Sequence, residues 1–297
     1  MREIKFTANY EPVLSFSDHQ FKEKYKERTG GENAYVQKID GDKKYLAVCP
    51  RCNNPVVILG IFKKIDTSPH ARHAKNVNIP GVAQYDEYKY LHCPYHVKKS
   101  DYIKEYVSET DEPQRKELYE IAKNNFDKAI YLLEKGTGIH ITLQMAEKLA
   151  ENYAAARVYN YIDATIYNIP WYLIYGFNGF PLYHMIIRKD SLLHKHLKKL
   201  GVKTAESKRE NCVYVEDNQG LVLIAVNYGY SVGKDDVFSE WLKFSILRPD
   251  ETSGEAGLFV AIDRFIVHVD PYHFSNLLEY TDWKENQKLL EIAKRYM

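Results

Sequence analysis

The chain has 297 residues, with 41 Lys plus Arg against 40 Asp plus Glu and a formal net charge of +1. Hydrophobic residues make up 45% and charged residues 27%, close to globular averages, which excludes global disorder. The near-neutral balance excludes whole-molecule attraction to nucleic acid or membrane, so any such binding has to come from a local patch. No apolar run approaches the roughly 20 residues of a membrane-spanning helix. The first residues lack the apolar core of a secretory signal. Four cysteines in this length cannot form a disulfide scaffold. The expected setting is the cytoplasm, where reducing conditions keep thiols free for metal.

The first predicted element is a short helix. Ser17 as N-cap and Gln20 at N3 form a capping box, with Phe16 and Phe21 as the hydrophobic staple. Phe21 and Tyr25 share a face, and Gly30 and Gly31 end the helix. Residues 34–39 and 43–48 then read as a hairpin, because Asp40-Gly41 is a favoured tight turn. The second strand runs into Cys49-Pro50-Arg51-Cys52, and residues 55–62 read as another strand. From 63 to 90 the chain is polar, basic and turn-rich, and it then delivers Cys93-Pro94-Tyr95-His96.

From Pro113 the pattern turns helical, with Leu118, Ile121, Ala122, Phe126, Ala129, Leu132 and Leu133 at a 3.6-residue period. Gly136 and Gly138 stop it. Thr142 opens a longer helix to about Asn168, ended by Pro170, and Ala146, Ala150 and Ala154 form a ridge of small residues along it. A third helix spans 191–200 and ends at Gly201. Beyond Asn211 the period becomes two. Strands are expected at 212–216, 221–227, 241–247 and 258–269, with turns at Asn218-Gln219-Gly220 and Ser253-Gly254. Short connections imply an antiparallel sheet. A helix over 283–296 closes the chain. The expected fold is α+β: an N-terminal helix and metal module over 1–110, a helical region over 111–205, and an antiparallel β region with a C-terminal helix over 206–297.

The chemistry concentrates in the pairs Cys49/Cys52 and Cys93/His96, written C-x2-C-x40-C-x2-H. Zinc prefers Cys thiolate and His nitrogen in a tetrahedron, commonly supplied as two close pairs. The expected ligands are therefore Cys49, Cys52, Cys93 and His96, holding a structural Zn²⁺. The long stretch between the pairs leaves His70, His73 and His92 as alternatives for the fourth position. The two tetrads, with strands around the first, resemble zinc-ribbon and treble-clef modules in general. That resemblance covers only about residues 33–100 and is shared by unrelated functions.

Other signals are weaker. Pro69-His70-Ala71-Arg72-His73-Ala74-Lys75 sets two histidines beside cations, and resembles the broad treble-clef nuclease class, in which His acts as general base or metal ligand. His70 and His73 are the only catalytic candidates, and the order of elements in that class is not recoverable here. Arg188, Lys189, Lys195, Lys198 and Lys199 gather against one acid, Asp190, on a helix with an apolar face. Arg72, Lys75, Arg188, Lys195, Lys198 and Lys199 are thus the candidate phosphate contacts. His268, Asp270 and His273 are read as a turn and Cys212 as a core thiol. The aromatic run 168–177 is assigned to packing. No phosphate-binding loop, dinucleotide fingerprint or serine elbow is present.

The expected function is a zinc-stabilised, non-enzymatic binding or regulatory protein, of a kind suited to a bacterium or phage. It would act on a protein or a protein–nucleic-acid complex, with a protein partner and no membrane. Direct nucleic-acid binding and a metal-dependent nuclease are the alternatives.

Overall fold

A computed structural model describes residues 1–8, 13–30, 34–62, 65, 68–96, 99–101, 112–161, 164–216, 219–233, 238–250, 257–270 and 272–297. The turn at Ser253-Gly254 and part of that at Asn218 lie outside them. Two compact units organise the chain: Met1–Ser100 with Ser231–Phe238, and Asp101–Tyr230 with Ser239–Met297. The change of periodicity near residue 205 falls inside the second unit.

In the first unit β1 (Glu3–Ile4) and β2 (Leu14–Ser15) pair antiparallel, followed by α1 (Phe21–Thr29). The helix starts later than the capping box implies. Ser17 Oγ is 2.8 Å from Ser15 Oγ, and Asp18 Oδ1 accepts from Gln20 N at 2.8 Å, so Ser17 caps nothing. The staple contact survives, with Phe16 and Phe21 rings stacked at 4.7 Å. Gly30 ends α1 in the left-handed conformation. A four-stranded antiparallel sheet follows in the order β3 (Val36–Ile39), β4 (Asp42–Val48), β5 (Pro55–Leu59), β6 (His70–His73). Asp40 and Gly41 both take positive φ, as a tight hairpin turn between twisted strands requires. Strand β6 was not expected, because the sequence around it is polar. A short α2 (Glu87–Leu91) precedes Cys93. Ile4, Phe21, Tyr25, Leu46, Val48 and Val56 form the core, and the Tyr25 hydroxyl donates to Leu46 O at 2.7 Å.

The second unit mixes helices with two sheets. β7 (Lys99–Asp101) falls at the boundary of the two units, and beyond it α3 (Glu112–Asn124) and α4 (Phe126–Thr137) break at Asn125, where a single helix was expected. Gly138 caps α4 with φ +74°, and a Cβ there would sit 2.2 Å from Ser191 Cβ, so only glycine fits. Thr142 caps α5 (Leu143–Ala155), whose side with Ala146 and Ala150 is buried. The helix ends thirteen residues before Asn168. Pro170 therefore opens α6 (Ile169–Tyr175) and does not end α5, since proline is tolerated in a first helical turn. All seven residues of α6 are buried.

The strands β9 (Ile186–Arg188), β10 (Thr204–Glu206) and β11 (Cys212–Val215) form an antiparallel sheet in the order β10-β11-β9, with α7 (Leu192–Lys199) between β9 and β10 in sequence. The other sheet runs β14 (Phe259–Val269), β13 (Phe238–Pro249), β12 (Val222–Val232), β7, with β8 (Phe180–Pro181) also on β12. Two helices end the chain, α8 (His273–Leu278) and α9 (Gln287–Tyr296). Helix α9 packs on α5, α4 and α3. Among the described residues no helix is long and apolar enough to cross a membrane.

Candidate metal centre

Strand β4 delivers Cys49 into a tight turn. Cys49 N donates to Asn54 O at 2.8 Å, and Asn53 N donates to Cys49 O at 3.1 Å. Asn53 takes φ +60°, a left-handed conformation that Asn tolerates better than most residues. The loop returns as β5, so both cysteine side chains of this turn project from one end of the sheet. Cys93 follows α2 in a second turn, in which Cys93 N donates to Tyr90 O at 3.1 Å and His96 N to Cys93 O at 2.8 Å.

The fourth group arrives through sheet register. Val48 pairs with Pro55 and Val56 with His73, which carries the end of β6 to the Cys49–Cys52 turn. Ala74 N donates to Pro55 O at 3.0 Å and locks that end. Ligand atoms of Cys49, Cys52, His73 and Cys93 all lie within 4.8 Å of one another. The Cys49 and Cys93 sulfurs are 3.7 Å apart, and Cys52 Sγ lies 3.2 Å from His73 Nε2. All three cysteines are buried and none forms a disulfide.

His73 thus joins the cysteines where the spacing favours His96. The His96 ring instead lies 4.1 Å from the Tyr90 ring and is exposed to solvent. The slight desolvation it retains, with His73 and Lys75 nearby, holds His96 below its usual imidazole range. His92 Nδ1 donates to Tyr88 O at 2.8 Å and His70 Nδ1 to Ser68 O at 2.9 Å, so neither enters the cluster. His70 and His73, three apart on a strand, project to opposite faces and do not converge on one site.

Asn54 escaped the sequence reasoning. It is fully buried. Its Nδ2 donates to Cys52 Sγ at 3.4 Å, and its Oδ1 accepts from Asp86 N at 2.6 Å. Asp86 in turn caps α2 through Lys89 N at 3.0 Å. One amide therefore ties the first turn to the segment that presents Cys93. The only sequence signal was its place, immediately after the metal turn and before Pro55.

The thiols share charge unequally. Burial raises all three. At Cys49 hydrogen bonds from Cys52 and Cys93, with His73 beside it, outweigh burial and hold it well below the usual thiol range. Burial and the neighbouring Cys49 push Cys52 and Cys93 well above it. Of the three sulfurs, Cys49 is the one held toward the thiolate. A cation placed among the sulfurs would stabilise the other two as thiolates.

The basic candidates are scattered. Arg72 and Lys75 are exposed on the first unit, and the Lys75 ammonium sits 5.0 Å from the Tyr90 ring centre. In the second unit Arg188 Nη2 donates to Lys135 O at 3.3 Å, and Lys199 Nζ lies 3.7 Å from Asp263. Lys195 and Lys198 are exposed on α7. Asp270 Oδ1 accepts from Tyr272 N at 2.9 Å, an ordinary turn contact, and Cys212 is a buried strand thiol. No protein-family model, curated protein or solved structure matches the chain.

Proposed function

We propose that Cys49, Cys52, His73 and Cys93 hold one structural zinc ion in a ribbon- or treble-clef-like module. The chain then acts as a non-enzymatic binding or regulatory protein on a protein or a protein–nucleic-acid complex. The convergence of three thiols and one imidazole from three separate segments carries this reading. Three sulfurs and a nitrogen form a soft donor set that favours zinc over magnesium or calcium. Zinc–sulfur bonds of about 2.3 Å place tetrahedral sulfurs about 3.8 Å apart, close to the 3.7 Å between Cys49 and Cys93. Four protein ligands complete a tetrahedron and leave no position for a reacting water, as in structural zinc sites. A reducing cytoplasm suits such a set.

Metal analysis of the purified chain is expected to give about one zinc per chain. Cys52→Ser and Cys93→Ser should lose it. The fourth ligand separates in a cobalt-substituted sample. His73→Ala should alter the thiolate–cobalt spectrum and weaken binding, while His96→Ala leaves both unchanged. A well-folded wild type without metal, or a spectrum that responds to His96 alone, would overturn the assignment.

A further inference from the structure

We propose that the outward face of the β13–β14 ribbon in the second unit binds single-stranded nucleic acid. On β14, Phe265, Val267 and Val269 are buried, while Arg264, Ile266 and His268 between them are exposed. On β13, Leu242, Phe244 and Ile246 are buried, and Trp241 and Lys243 point the other way, half-buried. Register joins the two outward rows, Trp241 opposite His268 and Lys243 opposite Ile266, and the face ends at Arg264, whose partner Ser245 is buried.

The face combines three features that a single strand needs. The first is a platform. A Cβ on Gly229 would lie 3.0 Å from each of three indole atoms of Trp241, so one face of the ring rests on bare backbone. That support fixes the ring while part of it stays accessible, and a stacked base gains about 1–3 kcal/mol on such a ring. The second is charge. The ribbon carries only two acids, Glu240 and Asp263, and both belong to the inward rows. Asp263 is occupied there by His196 at 2.7 Å and by Lys199. The outward cations Lys243 and Arg264 make no ion pair with any described residue, so they are available to phosphate. The third is spacing. Lys243 and Arg264 are diagonal cross-strand neighbours, about 7–8 Å apart. They flank the aliphatic Ile266, which is 44% exposed. A polyanion with planar bases satisfies both halves of this surface. A neutral apolar partner would leave the two cations buried and unpaired, at a cost.

This inference stands on the second unit alone and goes beyond the metal assignment. Zinc content measured on the same samples keeps the two apart. The test is fluorescence anisotropy of labelled oligo-dT and oligo-U with the full chain, titrated with salt from about 50 mM upward. Binding at low salt is expected. The double substitution Lys243→Gln/Arg264→Gln should flatten the log–log salt slope by about 1.4, two contacts at about 0.7 each. Trp241→Ala should weaken binding by about 5- to 150-fold. The glutamine pair keeps the aliphatic stems, so it reports on charge even where loss of the indole unsettles the sheet. Lys195→Gln/Lys198→Gln on α7 should leave binding intact. Absence of binding at low salt would overturn the proposal. So would a Lys243/Arg264 variant with wild-type affinity and slope, or loss of binding only in the α7 variant.

Discussion

The two units bury polar groups in different ways. In the second, several buried or half-buried polar side chains are matched by other parts of the polypeptide, although Thr165 Oγ1 and His194 Nε2 are buried without a hydrogen-bond partner among the described residues. Asp127, 3% exposed, accepts from Trp283 Nε1 at 2.8 Å and from Asn286 N at 3.0 Å. Asn152 Nδ2 donates to Gly176 O at 2.9 Å, and Arg115 Nη1 to Ala164 O at 2.7 Å. In the first, the cysteine sulfurs lie inside the same core as Ile4, Leu46 and Val56, and their main neighbours are each other and His73. A set of close sulfurs, one of them favouring the thiolate, is poorly served by protein groups alone. The lesson is that these polar locks of the second unit are made by its own chain, whereas the first gathers a group of ligand atoms that could hold a cation.

That contrast is broken most directly by removing metal. Structural zinc contributes on the order of 10 kcal/mol of binding free energy, which is also folding free energy where the apo site is not preformed. Chelation of the folded protein should therefore unfold the first unit and spare the second. Hydrogen exchange read by mass spectrometry would show protection lost over 1–100 and kept along α4, α5 and α6. Uniform loss, or none, would erase the distinction between the units.

The reverse experiment weakens the second unit through its own polar lock. Asp127→Ala deprives the Trp283 indole and the Asn286 amide of their shared acceptor at the entry to α9. Charged hydrogen bonds contribute about 1.5–3 kcal/mol, so a loss of about 3 kcal/mol is expected. Urea unfolding should show it in the transition reported by the second unit, with metal content unchanged. A shift below about 0.5 kcal/mol, the range of ordinary surface substitutions, would show that Asp127 does not hold α9.

Local signals were legible where a few neighbouring residues decide the outcome. Asp40-Gly41 set the hairpin, Gly30 and Gly138 the helix ends, and Thr142 the start of α5, each by its own backbone or side-chain chemistry. The period-two runs likewise foretold β11, β13 and β14. Ser17 misled because Asp18, one residue later, supplies the competing acceptor to Gln20 N. Pro170 misled because proline marks either boundary of a helix, and only the preceding Asn168 turn shows which. The metal cluster was three-quarters legible. Cys49, Cys52 and Cys93 sit in short turns that spacing identifies. His73 depends on the pairing of β6 with β5, a long-range register that spacing does not encode. The buried Asn54 depends on Asp86, far along the chain, and was invisible for the same reason.

The smallest expected effect concerns α7, whose charges the sequence suggested for nucleic acid. His196 and Lys199 instead meet Asp263, and the His196 ring stacks on Phe265 at 4.8 Å. The hydrogen bond from His196, helped by the Arg264 amide and by Lys199, holds the Asp263 carboxyl below its ordinary value of 3.8 against the opposing effect of burial. A depressed carboxyl contributes stability above the unfolded value and loses it as pH falls through the folded one. Asp263→Asn should therefore cost about 1 kcal/mol near neutral pH, an amount suited to a partly screened pair. The difference from wild type should shrink once pH drops below about 4. Urea midpoints of both proteins at several pH values would show this convergence. A gap that stays constant into acid would mean that Asp263 acts through shape and not through charge, and the His196–Phe265 stack would then be the contact that docks α7 on β14.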